Sequence, residues 1–483
     1  MQPNIVLIVT DNQAADLLGC YGNSEMYSPR LDAMAAGGVR FDNAFCPNAM
    51  CSPCRASILT GRMPSQHGVH TWLDDRARTN WPTGWNAVAD FETLPELLKS
   101  QGYATALIGK YHLGDVVAGH NGIDHWVTMA HGHTLNFHGN MMNVNGVEEL
   151  DLGHSVEFFT RQAIDWISGQ SRGQPFFLIL TYNGPYGHWP SIKGAADNRF
   201  FERYQDMAMT SVPREGLCAE TIALYDLQKG LSRPGGPDFS ALLKVPNDLT
   251  SLRNYYSQMS LIDDCVGQVL DALEACRQTD DTLVTFTSDH GFSLGHHGYW
   301  GHGQATWPSS MYRASYNIPL IMTGPGIDAG EVRDQMLSSI DLFATLTAIG
   351  GAVVTGDDIP SRDFSGILLG DTDGSDAVFF EQEESRAIRT RDWLFVQRFK
   401  GSETYPLTDQ LFDLQSDPGE RRNVSGQADL ASAETALRGR LEAYFNRYMD
   451  PRYDLWSGGS VKSNTARPWL WRDAWGAGWG PVT

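Results

Sequence analysis

The chain has 483 residues, 42% hydrophobic and 19% charged, which provides ample material for a buried core and excludes a disordered, collagen-like or disulfide-scaffold chain. Thirty-six Lys and Arg against 57 Asp and Glu leave a formal charge of −21. Such a surface repels phosphate backbones, so neither a nucleic-acid partner nor a basic membrane-binding face is expected, although a local basic pocket stays open.

The N-terminus, Met1-Gln2-Pro3-Asn4, carries no positive charge, and the apolar run 5–10 passes directly into Asp11 without a small-residue cleavage site. This reads as a strand and not as a signal peptide, and a cytoplasmic location is expected. No segment approaches the roughly 20 apolar residues that span a bilayer. Runs 5–10, 104–108, 176–182, 282–288 and 318–323 are apolar on both faces and rich in β-branched residues. They read as central strands of a parallel sheet covered by helices on both sides. Residues 92–101 carry Leu94, Leu97 and Leu98 on one helical face and stop at Gly102. Leu252, Tyr256, Met259, Ile262, Val266, Val269 and Leu273 step by three and four through one long helix before the strand at 282. The expectation is an α/β domain over 1–365 built on a large, mostly parallel sheet.

The remainder differs in texture. Residues 377–381, 387–390, 394–399 and 410–414 are short strand-like pieces that predict a small antiparallel sheet, followed by a helix at about 429–447, within a subdomain over 366–450. A tail over 451–483 carries Trp456, Trp469, Trp471, Trp475 and Trp479, five of the 14 tryptophans. That aromatic area is expected to pack on the body or on a neighbouring subunit, which favours a homo-oligomer. Seven cysteines in so long a chain do not form a disulfide framework.

In open parallel sheets, ligands bind beyond the carboxyl ends of the strands. Asp11 and Asn12 follow the first predicted strand, Lys110 and His112 the second, His188 the third, and Asp289 and His290 the fourth. One acidic residue after a strand is usually a helix N-cap, but four such endings at one sheet edge point to a site. Asp11, Asn12 and Asp289 suit a hard cation, Ca²⁺ or Mg²⁺, and His290 as a ligand shifts the preference toward Mn²⁺.

The segment Cys51-Ser52-Pro53-Cys54-Arg55 through Leu59-Thr60-Gly61-Arg62 is the most distinctive in the chain. Pro53 suits the first turn of a helix, placing Cys51 at or just before its N-terminus. The positive helix end with Arg55 and Arg62 would form an anion pocket around Cys51, lower its pKa and make it a nucleophile. A rival is the C-x4-C-x2-C spacing of Cys46, Cys51 and Cys54, which matches plant-type iron–sulfur ligands but lacks a nearby fourth cysteine, the next being Cys218.

Cys-x-Pro-x-Arg followed by Leu59-Thr60-Gly61-Arg62 resembles the signature of the type I sulfatases of the alkaline-phosphatase-like superfamily. Residues 3–13 (PNIVLIVTDNQ), 102–114 (GYATALIGKYHLG), 288–295 (SDHGFSLG) and 411–423 (LFDLQSDPGERRN) resemble four further family blocks in the expected order. The resemblance implies an alkaline-phosphatase-like fold and hydrolysis of a small-molecule sulfate monoester, as in arylsulfatases. It also implies that Cys51 is oxidised to formylglycine by a formylglycine-generating enzyme, and that Arg55 holds the aldehyde hydrate. Asp11, Asn12, residue 51, Asp289 and His290 would hold one divalent metal, Ca²⁺ first and Mg²⁺ or Mn²⁺ otherwise. Lys110, His112 and His188 would bind the sulfate, one histidine protonating the leaving oxygen.

The chain departs from the family pattern at four places. Asn12 stands where most relatives have a second Asp, Cys54 where Ser is usual, Tyr111 where Trp is usual, and His302 where a Lys is typical. His302 is expected to contact the anion or its leaving group. The alternative activity is hydrolysis of phosphonate monoesters or phosphodiesters at the same formylglycine site. A reading of a different class is an inactive binding protein in which Cys51 is never oxidised. The aromatic residues Trp72, Trp81, Trp85, Trp189, Trp300 and Trp307 could line an aryl or sugar pocket.

Overall fold

The computed structural model describes residues 2–73, 82–130, 132, 134–188, 191–192, 196–229, 243–245, 248–354, 358–371, 374–462 and 464–481. Ten strands form the main sheet: β1 (Asn4–Asp11), β2 (Val39–Phe41), β3 (Ala104–Gly109), β4 (His125–Met129), β5 (His138–Val144), β6 (Val147–His154), β7 (Phe176–Pro185), β8 (Thr282–Ser288), β9 (Leu320–Thr323) and β10 (Glu331–Arg333). Their order is β10-β2-β9-β8-β1-β7-β3-β4-β5-β6, and β8, β1, β7, β3 and β4 run parallel.

Alternation along β1 explains the layers, since successive side chains point to opposite faces. Ile5, Leu7 and Val9 join the core that holds Leu94, Leu97 and Leu98. Val6 and Ile8 join the opposite core with Phe159, Ile167 and Val266. The first core is reached by the helix Leu94–Ser100, which Thr93 and Glu96 start with a reciprocal capping box. The second is covered by Ser155–Ser168 and by the 27-residue helix Leu249–Ala275, the long helix expected from its apolar stripe. Among the described residues, no helix is long and apolar enough to cross a membrane.

One strand corrects the sequence reading. The run at 318–323 was expected in the parallel set, yet β9 pairs antiparallel with both β8 and β2. Burial on both faces gives the same composition in either direction, so texture could not show that the chain returns along β8. The parallel order of the central strands otherwise matches expectation, and the sheet as a whole is mixed.

The C-terminal strands β11 (Ala377–Gln382), β12 (Ser385–Thr390), β13 (Trp393–Arg398) and β14 (Gln410–Asp413) form the expected antiparallel sheet. Ile388, Phe395 and Leu411 pack on Leu437, Leu441 and Phe445 of the helix Ala431–Tyr448. The other face sends Val378, Phe380, Leu394 and Val396 into the core beneath the main sheet. The tail folds back on the same body: Leu470 and Trp471 pack with Phe399, Leu455 and Val461, and Trp307 lies against Trp469 at 6.0 Å.

The sheet edge depends on Gly109, the last residue of β3 (φ 123°). A Cβ there would stand 1.8 Å from the Thr181 carbonyl oxygen, which accepts the Lys110 N–H at 2.9 Å. Gly109→Ala is therefore expected to lower stability by at least about 2 kcal/mol and to displace Lys110. Denaturant midpoints check this; an unchanged midpoint would show that the strand end yields freely.

Candidate active site

Four chain segments converge where the parallel strands end. Asp11 is the last residue of β1, and a register shift between Val9 and Asp11 against β7 re-aims its side chain. Asn12, His112 and Tyr186, which follow β1, β3 and β7, all have left-handed backbones with φ of 67°, 58° and 37°. Such conformations are costly for residues with a Cβ and persist where the surroundings impose them. At Asn12 the Tyr255 hydroxyl donates to its carbonyl at 2.6 Å, and its N–H donates to Asp289 Oδ1 at 3.2 Å.

Cys51 is the first residue of the helix Cys51–Thr60, all of whose residues are buried. Its Sγ lies 3.3 Å from Asp11 Oδ1, 3.4 Å from His290 Nε2 and 4.0 Å from Asn12 Oδ1. One ligand atom from each of Asp11, Cys51, Asp289 and His290 lies within 4.8 Å of the others. His290 Nδ1 donates to the Gly291 carbonyl at 2.8 Å, which leaves the Nε2 lone pair facing the cluster. Among the described residues, the Asn12 Nδ2 has no hydrogen-bond partner, although Asn12 is fully buried. Two carboxylates, an amide oxygen and an imidazole nitrogen in a buried cluster fit a divalent cation.

Two buried cations hold those carboxylates. Lys110 Nζ donates to Asp11 Oδ2 at 2.5 Å, with both side chains fully buried. Arg55 donates from Nε and Nη2 to Asp289 Oδ2 at 3.0 and 2.9 Å, and from Nη1 to the Lys110 carbonyl at 2.7 Å. Despite burial, His290, Arg55 and Lys110 together hold the Asp289 carboxyl below its ordinary range. The Lys110 ammonium also lies 5.2 Å over the Tyr186 ring.

A second group lies beside the first. The His302 ring is 5.1 Å from His188 and 5.6 Å from His290. Among the described residues, His188 Nε2 and His302 Nδ1 are buried without hydrogen-bond partners. Burial, then His290, pushes the His188 imidazole down to about 3. Burial, then His188 and His290, holds His302 well below its usual range. Both imidazoles are therefore neutral at neutral pH. His112 donates through Nε2 to the Leu73 carbonyl at 2.9 Å, and the Leu73 N–H reaches Ser52 Oγ at 3.1 Å, which ties His112 to the start of the Cys51 helix.

The family follows from matches over most of the chain. Residues 3–352 match the sulfatase family model, and 295–447 match the model described as the C-terminal part of N-sulphoglucosamine sulphohydrolase. The chain belongs to the type I sulfatase family. It is accordingly a sulfuric ester hydrolase of the alkaline-phosphatase-like superfamily. An N-acetylglucosamine-6-O-sulfatase of Bacteroides thetaiotaomicron is 25% identical, covering 93% of this chain and 87% of that one. A structure solved with its substrate D-glucosamine-2-N,6-O-disulfate has a TM-score of 0.72 at 22% identity, covering 94% of this chain and 99% of that one. The phosphonate monoester hydrolase of Agrobacterium radiobacter has a TM-score of 0.68 at 19% identity, covering 93% and 96%, a likeness of fold.

Three readings of this sulfatase's cysteine segment change. The Cys51 thiol was expected to have a lowered pKa, but burial and the Asp11 carboxylate raise it well above the ordinary range, outweighing Lys110 and Arg55. Arg62 was expected beside Cys51, but it follows the far end of a ten-residue helix, roughly 15 Å long. There it donates to the Thr60 carbonyl at 2.9 Å and lies over the Phe91 ring. The iron–sulfur spacing also fails: Cys54 Sγ lies 3.5 Å from Ser339 Oγ and Cys46 Sγ 3.7 Å from the Ser315 carbonyl, and neither joins the Cys51 cluster.

Tyr255 and Tyr186 were missed because no motif marks them; each acts on a strand-end residue from a distant part of the chain. Among the candidate pocket tryptophans, Trp300 is buried and donates to the Gly187 carbonyl, while Trp81 and Trp189 lie outside the described residues.

The Lys110–Asp11 pair makes a direct stability prediction. Lys110→Met strands a buried carboxylate and should cost about 3–5 kcal/mol in chelator-treated protein, whereas Lys110→Met with Asp11→Asn should recover much of it. Urea unfolding of both variants reads the difference, and equal losses would show the two side chains to be uncoupled.

Proposed function

We propose that this sulfatase hydrolyses the sulfate monoester of a small sugar, with residue 51 as formylglycine and one divalent cation held by Asp11, Asn12, Asp289, His290 and residue 51. The observation that supports this most is the convergence of two carboxylates, an amide and an imidazole on Cys51 Sγ at a helix N-terminus, with both carboxylates tied to buried cations. The Cys51 thiol stands for the aldehyde hydrate that its conversion by a formylglycine-generating enzyme would produce. The hydrate supplies two hydroxyls on one carbon, one a nucleophile toward sulfur and the other a group whose deprotonation frees the aldehyde again. The cation, Ca²⁺ by its oxygen-rich donors, supplies positive charge for the anionic oxygens when bound.

The chain's own residues then divide the remaining work. Arg55 fixes Asp289 by two N–H donors that converge on Oδ2 and helps keep it ionised. Lys110 pairs with Asp11 through one of its three protons and has others for a sulfate oxygen. The left-handed turn at His112 holds its ring beside the start of the Cys51 helix, where it supports sulfate binding. His188 and His302, neutral and with unpartnered nitrogens, take the leaving oxygen, each offering one N–H. A sugar as the alcohol half is supported by the match to an N-acetylglucosamine-6-O-sulfatase and by the similar fold solved with D-glucosamine-2-N,6-O-disulfate. The net charge of −21 gives no support for a polyanionic polysaccharide.

Mass spectrometry of the peptide spanning residue 51, with steady-state rates on glucosamine 6-sulfate, 4-nitrophenyl sulfate and an aryl phosphonate monoester, tests the reading. Conversion of Cys51 and higher kcat/KM on the sulfates are expected. A preference for the phosphonate, or converted protein that turns over no sulfate ester, would overturn it. His302→Ala is expected to lower kcat about 100-fold on the sugar sulfate. Unchanged kinetics would remove His302 from the site.

A further inference from the structure

The loop that carries His302 is held by a carboxylate far from the cysteine motif. His302 precedes a single 3-10 turn, Gly303–Ala305. Gln304 is clamped at both ends of its amide: Thr71 Oγ1 donates to its Oε1 at 2.8 Å, and its Nε2 donates to Glu383 Oε1 at 3.1 Å. The Gly303 N–H reaches the Ala49 carbonyl at 3.3 Å, and the Ala49 N–H reaches Gln382 Oε1 at 3.2 Å. The tip of the β11–β12 hairpin therefore grips the segment entering Cys51 and the segment leaving His302.

Glu383 is gripped in turn by the Trp-rich tail. Thr465 Oγ1 and Trp471 Nε1 donate to its Oε2 at 2.6 and 2.8 Å, and the Ala466 N–H donates to Oε1 at 2.8 Å. With Gln304, four donors converge on one buried carboxylate. Trp456 Nε1 donates to the Glu383 carbonyl at 2.8 Å, and the residue has a left-handed backbone with φ of 43°. Arg467, fully buried, reaches the Thr306 carbonyl from the same tail at 2.8 Å. A surface hairpin does not need a strained, fourfold-bonded glutamate to close; one that fixes two distant loops does.

We propose that Glu383 is a positioning residue that sets the placement of His302 against residue 51, with the C-terminal tail as its clamp. This rests on the reading of His302 as a group facing the leaving oxygen. Displacing such a donor by even ~1 Å costs rate when the departing oxygen needs a proton or hydrogen bond, and costs little when it is already a good leaving group. A glutamine at 383 keeps the shape, but its one oxygen serves only two of the four donors and its amide hydrogens face the other two.

The test compares Glu383→Gln, His302→Ala and the double variant on a sugar 6-sulfate and on 4-nitrophenyl sulfate, in fully converted, metal-loaded protein. Glu383→Gln should lower kcat on the sugar sulfate by roughly 10-fold or more, leave KM within about twofold, and leave the 4-nitrophenyl rate nearly intact. The double variant should lose no more than His302→Ala alone. Equal losses on both substrates, or losses that multiply with those of His302→Ala, would reject the positioning role while leaving His302 in place. No effect of His302→Ala on either substrate would remove the leaving-group reading and the proposal with it. Trp471→Phe, which deletes one donor and keeps an aromatic ring, reads the same substrate ratio if Glu383→Gln does not fold: a selective loss supports the role, and an equal or absent loss rejects it.

Discussion

Two buried carboxylates, Asp11 and Asp289, set the terms for the rest of the site. Each lies at 0% exposure, where an unpaired charge costs several kcal/mol, and each is met by a cation from a different element. Lys110 follows β3 and Arg55 comes from the Cys51 helix, so both pairs can form only if β1, β8, β3 and that helix are in register. The ion pairs thereby couple the sheet edge to the helix that presents Cys51. The left-handed residues Asn12, His112 and Tyr186 follow three of the strands that end at this edge.

Much of the main site was legible because its parts follow strands in the sequence. A run apolar on both faces ends abruptly at a polar residue, and that boundary marks the sheet edge whatever the topology. Asp11, Asn12, Lys110, Asp289 and His290 each sit at or just past such a boundary. The residues that support them carry no such mark. Tyr255 reaches Asn12 from a helix whose visible feature is its apolar stripe, and Glu383 lies on a hairpin more than 300 residues from Cys51. Strand direction was also hidden, as β9 shows, because burial on both faces does not depend on which way the chain runs.

The cysteine segment shows how a correct placement can carry a wrong energetic inference. Its helix start and its neighbours suggested a thiol stabilised as the anion by helix dipole and arginine. Burial opposes the thiolate first, and the two carboxylates that the structure puts at the same point add to it. A residue 51 that acts as an oxygen nucleophile does not depend on a low thiol pKa. The raised thiol is thus an obstacle to cysteine chemistry at this position and none to the proposed formylglycine.

Charge balance around residue 51 gives the last step. Asp11 and Asp289 are offset by Lys110 and Arg55, and His188 and His302 are held neutral. A sulfate monoester brings one further negative charge into this buried site, where the two carboxylates already claim the charge of Lys110 and Arg55. The proposed divalent cation would add positive charge there for the ester to meet. A lysine at the position of His302, which the family resemblance implies as the usual residue, would fix part of that charge in the protein. With a neutral histidine there, anion affinity in this chain rests more heavily on the cation, and the four donor residues around Cys51 bear on substrate binding as well as on the chemistry.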